Sequence, residues 1–366
     1  MAKSRYFYCL FLMNSLINII NFVPRELIDR RFDGALISIL IGTVTGTLFV
    51  YIFTVLIAKF PRQGLPEIFK TVMPKVITAP LLISFASLWC LAGAITLLSF
   101  VDITLRYISP DASPVTVVIS FLVLVCLCCR FNSLSLLYGL EIILAVTLPL
   151  IVYGIVKALI NPDFNWNSVM QLSTYIWHKP DLMSLAAATF SFSGYINMAI
   201  FNRVFHGLKL KHIWILGVEG LFILLLTFFV PVGYFGTVAI DKHVYTWFST
   251  ADSIRMESFL IERMLFIFYF SYMALSLVSA IVHWHVGLEL VKAAVFASKK
   301  RSKRTTQWID GVILSLFSGV VFSFMGLDQY QLNTLGAWFL QIRWFGEMLM
   351  IALLFICYRQ VRRRRL

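Results

Sequence analysis

Two short polar stretches interrupt long apolar runs, and their residue types can bind a small charged molecule. The first stretch contains Asn14, Ser15 and Asn18, and the second covers residues 191–195 with the sequence SFSGY. Asn and Ser side chains compete for backbone hydrogen bonds, and serine with glycine in mid-helix marks a break or a kink. A broken helix attracts a carboxylate at its exposed N–H groups and a cation or ammonium group at its exposed carbonyls. The alternative is an ordinary kink with polar contacts between helices.

Acidic and basic side chains within apolar runs form a second group of interest. Glu141 and Glu219 can bind a proton or a cation or face a water-filled path, and the alternative for each is a hydrogen-bonded structural carboxylate. Arg343 and Glu347 are four residues apart, so on a helix they share one face and can pair. Their spacing is compatible with a structural role and with a functional one.

A polar stripe in a later apolar run is a possible wall of the same site. Tyr272 and Ser276 are four residues apart, and Tyr269 precedes Tyr272 by three, so all three lie on one helix face. Such a stripe suits a cavity wall, and an aromatic packing stripe is the alternative.

Catalytic and metal-binding motifs are missing from the sequence. The six cysteines have no metal-ligand spacing and each falls in an apolar run, which favours buried free thiols. No glycine-rich phosphate loop, HExxH or paired-carboxylate element occurs. The sequence therefore predicts no enzyme, no metal and no cofactor.

The composition requires membrane helices to position these residues. Of 366 residues, 60% are hydrophobic and only 13% are charged, against about 25% charged in a soluble domain. Disordered chains have the opposite composition. Because a membrane-spanning helix needs roughly 20 apolar residues, we predict an all-α polytopic membrane protein of about ten spans. The predicted spans are 6–23, 34–58, 80–100, 114–129, 136–159, 182–205, 213–238, 264–295, 309–325 and 335–358.

The basic excess is distributed in a way that predicts orientation. Net charge is +13, which is compatible either with polyanion binding or with the positive-inside rule for membrane topology. If the N-terminus is cytoplasmic, inner segments carry Lys3, Arg5, the basic run 299–304 and the basic tail 359–366, whereas outer loops carry most of the acids. This pattern predicts that both termini are cytoplasmic, and it removes the support for nucleic-acid binding.

The interrupted runs are the first and sixth of the ten predicted spans. They therefore occupy corresponding positions in two five-span halves. Broken helices in matching positions of two halves indicate a transporter-type binding site near the midplane of the membrane.

Four further stretches of the chain are informative: FVP at 22–24, residues 56–68, Ser113-Pro114 and residues 253–263. They resemble the B-subunit family of bacterial spore germination receptors, the amino-acid-permease-like subunit, and residues 253–263 resemble the family's "flerie" segment. The resemblance covers nearly the whole chain in length and in order of features. The chain departs from the family in having no glycine between Asn14 and Asn18 and no acid beside Gly194, so a cationic ligand group lacks one plausible counter-charge.

The resemblance implies a fold, a role and partners. The family belongs to the amino acid–polyamine–organocation transporter group, so one integral membrane domain, 1–366, is expected to contain inverted five-helix repeats at 1–160 and 182–358. The implied role is sensing a nutrient germinant, typically an amino acid, in the inner membrane of a dormant spore. The implied partners are the receptor's A-type membrane subunit and its C-type lipoprotein.

We therefore expect a small molecule to bind between the broken first and sixth helices and to be walled by the third and eighth. An amino acid transporter of the same fold, coupled through a proton or cation at Glu141 or Glu219, is one alternative. A structural scaffold with a vestigial pocket is another. The predicted ligand-binding residues are Asn14, Ser15, Asn18, Ser191, Ser193, Gly194, Tyr195 and Tyr272.

The charge pattern generates a test of orientation. An epitope tag fused after Leu366 is expected to be protected from external protease in intact protoplasts, because both termini are predicted to be cytoplasmic. A tag inserted at Asp111, in a predicted outer loop, serves as the accessible control. Cleavage of the C-terminal tag under conditions that leave cytoplasmic proteins intact contradicts the predicted topology.

Overall fold

The computed structural model describes residues 3–20, 22–208, 212–255, 263–296 and 302–364. Within these ranges the chain forms α-helices joined by turns and short 3-10 segments, without a β-strand, and the predicted all-α polytopic membrane fold is confirmed. The helices are α1 (Arg5–Ile17), α2 (Phe22–Asp29), α3 (Ala35–Ile57), α4 (Leu65–Val72), α5 (Lys75–Tyr107), α6 (Pro114–Cys128), α7 (Ser133–Ile160), α8 (Trp166–Ser173), α9 (Leu182–Phe190), α10 (Met198–Phe201), α11 (Ile213–Ala239), α12 (Thr246–Ser253), α13 (Met264–Val295), α14 (Lys303–Phe324) and α15 (Gln329–Arg363).

The helices match the ten predicted spans. Seven of them, namely α3, α5, α7, α11, α13, α14 and α15, are long and apolar enough to cross a membrane. Two bent pairs, α1 with α2 and α9 with the helical segment that follows it, pass the same criterion when each pair is taken together. The remaining predicted span is α6, an apolar helix of 15 residues. Apolar side chains on the outer faces, such as Ile142 and Leu316, are exposed and suit contact with lipid.

The first span extends beyond the predicted boundary. We expected it to end at Val23, before Pro24, but α2 continues through Pro24 to Asp29. Proline is tolerated here because the N–H groups in the first turn of a helix have no intrahelical partner.

Three short helices, α4, α8 and α12, lie between the predicted spans. The first of them begins where its sequence provides a cap. Glu67 Oε2 accepts a hydrogen bond from Gly64 N at 2.8 Å, and Pro66 occupies the first turn.

Helix α13 is a single continuous helix of 32 residues, as its sequence predicts, and it packs mainly along α5. Trp284 of α13 is fully buried and donates a hydrogen bond from Nε1 to Cys90 O at 3.1 Å. Its indole lies directly on Gly93, where any Cβ atom would overlap it. A small residue at position 93 therefore sets the close approach of these two central helices.

Residues 359–363 of the predicted basic tail are the last part of α15. That helix has 35 residues, or about 52 Å at 1.5 Å per residue, so it is longer than a hydrocarbon core of roughly 30 Å. Arg364 Nη1 donates a hydrogen bond to Thr71 O at 2.9 Å, which joins the tail to α4. At the same end, Arg203 pairs with Glu67 at 2.8 Å and with Glu289 at 2.7 Å. Which side of the membrane this end faces stays a prediction.

The contact between α5 and α13 generates a stability prediction. Gly93→Ala is expected to lower the thermal unfolding midpoint of the purified protein, because overpacking a tight contact destabilises a fold by about 1–3 kcal/mol. Gly139→Ala is the matched control, since no atom lies within 4 Å of a Cβ at that helical position. Tryptophan fluorescence during heating in detergent measures both. Equal midpoints for the two variants contradict the packing argument.

Candidate functional site

The first break lies between α1 and α2, whose axes meet at 52°. The predicted polar residues Asn14, Ser15 and Asn18 are all buried at this break. Asn21, which follows this polar stretch in the sequence, lies outside the described residues. The sequence is therefore correct in placing a break in the first span.

The second break follows α9, which is bent by 60° relative to the segment Ser193–Val204. Asp181 caps the start of α9 by accepting hydrogen bonds from Met183 N and Ser184 N, each at 3.0 Å. After Phe190 the backbone turns and continues as a 3-10 segment, Ser193–Asn197. The α-helical hydrogen-bond ladder stops here, so carbonyl groups at the end of α9 need other partners.

Side chains of α1 provide some of these partners. Asn14 Nδ2 donates a hydrogen bond to Phe190 O at 2.7 Å, and Asn18 Nδ2 donates to the same oxygen at 3.2 Å. Ser15 Oγ donates to Ser191 O at 2.8 Å. The polar residues of the first break thus bind the carbonyl groups of the second break. This contact is the junction of the broken helices.

Helix α15 contacts the same region through Arg343. Its guanidinium donates hydrogen bonds to Ala186 O, to Thr189 Oγ1 at 3.1 Å and to Ser193 Oγ at 2.7 Å, so it contacts both sides of the second break. This positive charge lies near the carbonyl end of α9, where the helix dipole favours a cation.

Arg343 also forms a buried ion pair. Its Nη1 is 3.2 Å from Glu347 Oε1, so the pairing that the i, i+4 spacing allows is present. The two side chains are only 2% and 3% exposed. Tyr195 OH donates a hydrogen bond to Glu347 Oε2 at 3.2 Å, which joins another predicted residue to the pair.

Gly194 permits a close approach of the two broken helices. A Cβ atom at this position would lie 2.5 Å from Leu10 O and 2.6 Å from Phe11 Cα, both of which are backbone atoms. Any substitution here would therefore push α1 away from the second break. In this structure the position has a packing role.

Tyr272 is separate from the other predicted ligand residues. It is buried on α13 beside Phe268, at 4.3 Å between ring centroids. One turn further along α13, Ser276 lines a small cavity together with Ile17 and Ile20, at the end of α1. Among the described residues, no hydrogen bond joins Tyr272 to the Asn and Ser residues of the breaks.

The two predicted proton or cation residues have different surroundings. Glu219, on α11, receives a hydrogen bond from Ser15 Oγ to its Oε2 at 3.4 Å, and no basic side chain of the described residues pairs with it. Glu141, on α7, is 34% exposed and pairs with Arg5 at 3.0 Å. Only Glu219 therefore adjoins the junction of the broken helices.

A cavity beside the second break is a feature that the sequence did not indicate. It lies among α5, α9, α13 and α15, and Trp89, His283, Arg343 and Glu347 are on its wall. Trp89 Nε1 donates a hydrogen bond to Asn197 Oδ1 at 2.8 Å, so the cavity wall is tied to the 3-10 segment. The spacing of Arg343 and Glu347 indicated a pair, but nothing in the sequence placed α5 or α13 beside it.

The two breaks and Arg343 with Glu347 bring carbonyl, amide, hydroxyl and paired charged groups together. Among the residues that the structure describes, no group of three His, Cys, Asp or Glu side chains could hold a metal ion.

The fold and the junction define a permease-like polytopic membrane protein. A family model described as "Spore germination protein", that of the spore permeases, matches residues 9–333, so the chain belongs to this family. No curated protein matches the chain.

The ion pair generates a stability prediction. Arg343→Met is expected to destabilise the protein by about 3–5 kcal/mol, because it leaves Glu347 unpaired in the membrane and removes the donor to Ala186 O. Glu347→Gln is expected to have a smaller effect, since a glutamine oxygen still accepts from Tyr195 OH.

Chemical unfolding of the purified protein in mixed micelles measures both variants. Arg5→Met is the control, because the Arg5–Glu141 pair is largely exposed and its loss should change stability little. An Arg343→Met variant as stable as Arg5→Met would show that the pair does not hold the junction together.

Proposed function

We propose that this spore germination protein is the permease-like subunit of a nutrient germinant receptor in the inner membrane of the spore. A small molecule, an amino acid in this proposal, binds at the junction of the broken helices. Binding changes the helix arrangement and signals to an A-type membrane subunit and a C-type lipoprotein. Membership of the spore germination family supports the biological setting.

One observation carries the binding proposal: side chains at the first break bind two carbonyl groups at the break of α9. Phe190 O and Ser191 O are bound by Asn14, Asn18 and Ser15, at 2.7 to 3.2 Å. Side-chain contacts of this kind can exchange for a ligand's ammonium or hydroxyl group without unfolding a helix. A ligand that makes the exchange favours one arrangement of α1 and α9 over another, which is the requirement for a signal.

The proposal includes the predicted organisation of the chain. Residues 1–160 and 182–358 form the two five-helix repeats in inverted orientation, and the bent first and sixth spans occupy corresponding positions within them. The contact residues are the predicted set. Tyr272 is included because it shares one face of α13 with Ser276, which lines the small cavity at the end of α1.

A second candidate function is amino acid transport coupled to a proton or cation, and Glu219 is the observation that favours it. This buried carboxyl group receives a hydrogen bond from Ser15, which also binds the second break. Protonation of Glu219 would therefore be linked to the junction, whereas Glu141 is already paired with Arg5. Accumulation of an amino acid in proteoliposomes, driven by a proton or sodium gradient and lost in Glu219→Gln, would support transport over sensing.

The receptor proposal is tested in spores. Deletion of this chain is expected to abolish germination in response to one or more amino acids. Germination is measured as the loss of optical density of a spore suspension, and complementation is expected to restore it. Asn14→Leu is expected to raise the half-maximal nutrient concentration roughly tenfold, because it removes an amide group that the proposal places in contact with the ligand. Gly139→Ala, with immunoblots of protein level, is the control. A deletion strain that retains every nutrient response contradicts the proposal.

A further inference from the structure

The cavity beside the second break has opposite charges on one wall. Arg343 and Glu347 both line it from α15, and each is almost completely buried. The other lining side chains are mainly apolar, including Phe85, Phe190 and Met350. Charged groups in such surroundings are expensive to keep, and those that persist within membrane proteins mark pathways or binding sites.

The ion pair leaves hydrogen-bonding capacity unused. Arg343 Nε and Glu347 Oε1 are buried without a hydrogen-bond partner among the described residues. Glu347 Oε1 is 3.2 Å from Arg343 Nη1, which is within ion-pair distance, but the two atoms are not aligned for a hydrogen bond. A purely structural pair would be expected to satisfy these atoms, because an unsatisfied charged group in low dielectric is destabilising.

We propose that Arg343 and Glu347 bind the head group of a small zwitterion, with the carboxylate on Arg343 and the ammonium on Glu347. The two side chains are four residues apart on one helix face, so their charged ends are presented side by side. The site is neutral as a whole. A simple anion would leave Glu347 unpaired and a simple cation would leave Arg343 unpaired, whereas a zwitterion matches both.

The size of the cavity restricts the rest of the ligand. Its volume is about 20 Å³, which is room for about one water molecule. Leu88 and Gly346 are the partly exposed members of its wall, and a Cβ at position 346 would lie 2.8 Å from Leu88 Cδ1. Leu88 thus lies on the partly exposed side of the cavity, where α5 meets α15, and in this proposal its rotation enlarges the space for the ligand. The ligand therefore carries a short apolar side chain or none.

Arg343 connects this head-group site to the broken helix. The same guanidinium that faces the cavity holds Ala186 O and Ser193 Oγ, before and after the break in α9. A ligand carboxylate competes with these contacts for Arg343, so occupancy changes the hydrogen bonding of the break. This site lies on the α15 side of α9, whereas Asn14 and Ser15 contact the break from α1.

The inference rests on the proposed function only in taking the ligand to be a nutrient of amino acid type. Its test uses purified full-length protein in nanodiscs and a defined series of probes. These are glycine, L-alanine, L-leucine and L-phenylalanine as a size series, with glycinamide and N-acetylglycine as probes that lack the carboxylate or the ammonium. Ligand-induced shifts of the thermal midpoint, measured against concentration, give apparent dissociation constants.

The wild-type protein is expected to bind glycine or alanine more tightly than phenylalanine. Its apparent dissociation constants for glycinamide and N-acetylglycine should be at least roughly tenfold higher than that for glycine, since each probe lacks one charge-assisted contact. Glu347→Gln is expected to lose most of the discrimination against N-acetylglycine. Arg343→Lys is expected to lose part of the discrimination against glycinamide, because an ammonium group keeps the charge but lacks the paired donors of the guanidinium. Both variants keep a polar group at the site, so they are suitable if larger changes fail to fold.

Arg31→Gln is the matched control. Arg31 is also a buried arginine that binds a carbonyl group, Ile28 O, and pairs with an acid, Asp241, but it is not on the cavity wall. Its substitution is expected to lower the midpoint without altering discrimination between the probes.

Binding that keeps wild-type affinity and discrimination in Glu347→Gln and Arg343→Lys overturns the inference and leaves the receptor proposal standing. Failure of the wild-type protein to bind any zwitterion of the series also overturns it. The deletion strain tests the receptor proposal separately, because loss of nutrient response does not depend on which residues bind the ligand.

Discussion

The constraint on which the rest of this structure depends is the need to satisfy carbonyl groups at a helix break that lies away from water. When α9 stops at Phe190, hydrocarbon offers no hydrogen-bond donor, and each unsatisfied group would be strongly destabilising. The chain meets this need from two sides, with amide and hydroxyl groups of α1 and with the guanidinium of Arg343. Three helices that are distant in sequence are thereby held at one point.

In the proposed function, the same solution would make the junction responsive to a ligand. Side-chain donors can be displaced by a ligand's donors, whereas the backbone hydrogen bonds of a continuous helix cannot be displaced without unfolding it. Gly194 allows α1 to pack closely against the break, so a displacement of one would require the other to move. Sensing and transport would both use this property. They differ in whether the shift passes to a partner subunit or opens a path, and Glu219 is the residue through which an ion gradient could act.

The buried pair of Arg343 and Glu347 gives α15 a role that hydropathy does not suggest. In the sequence, the two residues are charged interruptions of an apolar run. In the fold, they are the point where α15 contacts both the break and a cavity lined by α5 and α13. The polar centre of the protein thus extends from Glu219 on α11, through the two breaks, to Glu347 on α15.

The sequence by itself determined the membrane class, the positions of the spans and the breaks in the first and sixth of them. Hydropathy and local residue types suffice for these, because lipid permits only helices and because Asn, Ser and Gly weaken a helix where they stand. The sequence could not assign partners. Nothing local to Asn14 shows that it binds Phe190 O, nothing near Gly194 shows that it meets Leu10, and nothing near Arg343 shows that Trp89 and His283 share its cavity. Those contacts join residues far apart in the chain, so only the packing of the helices decides them.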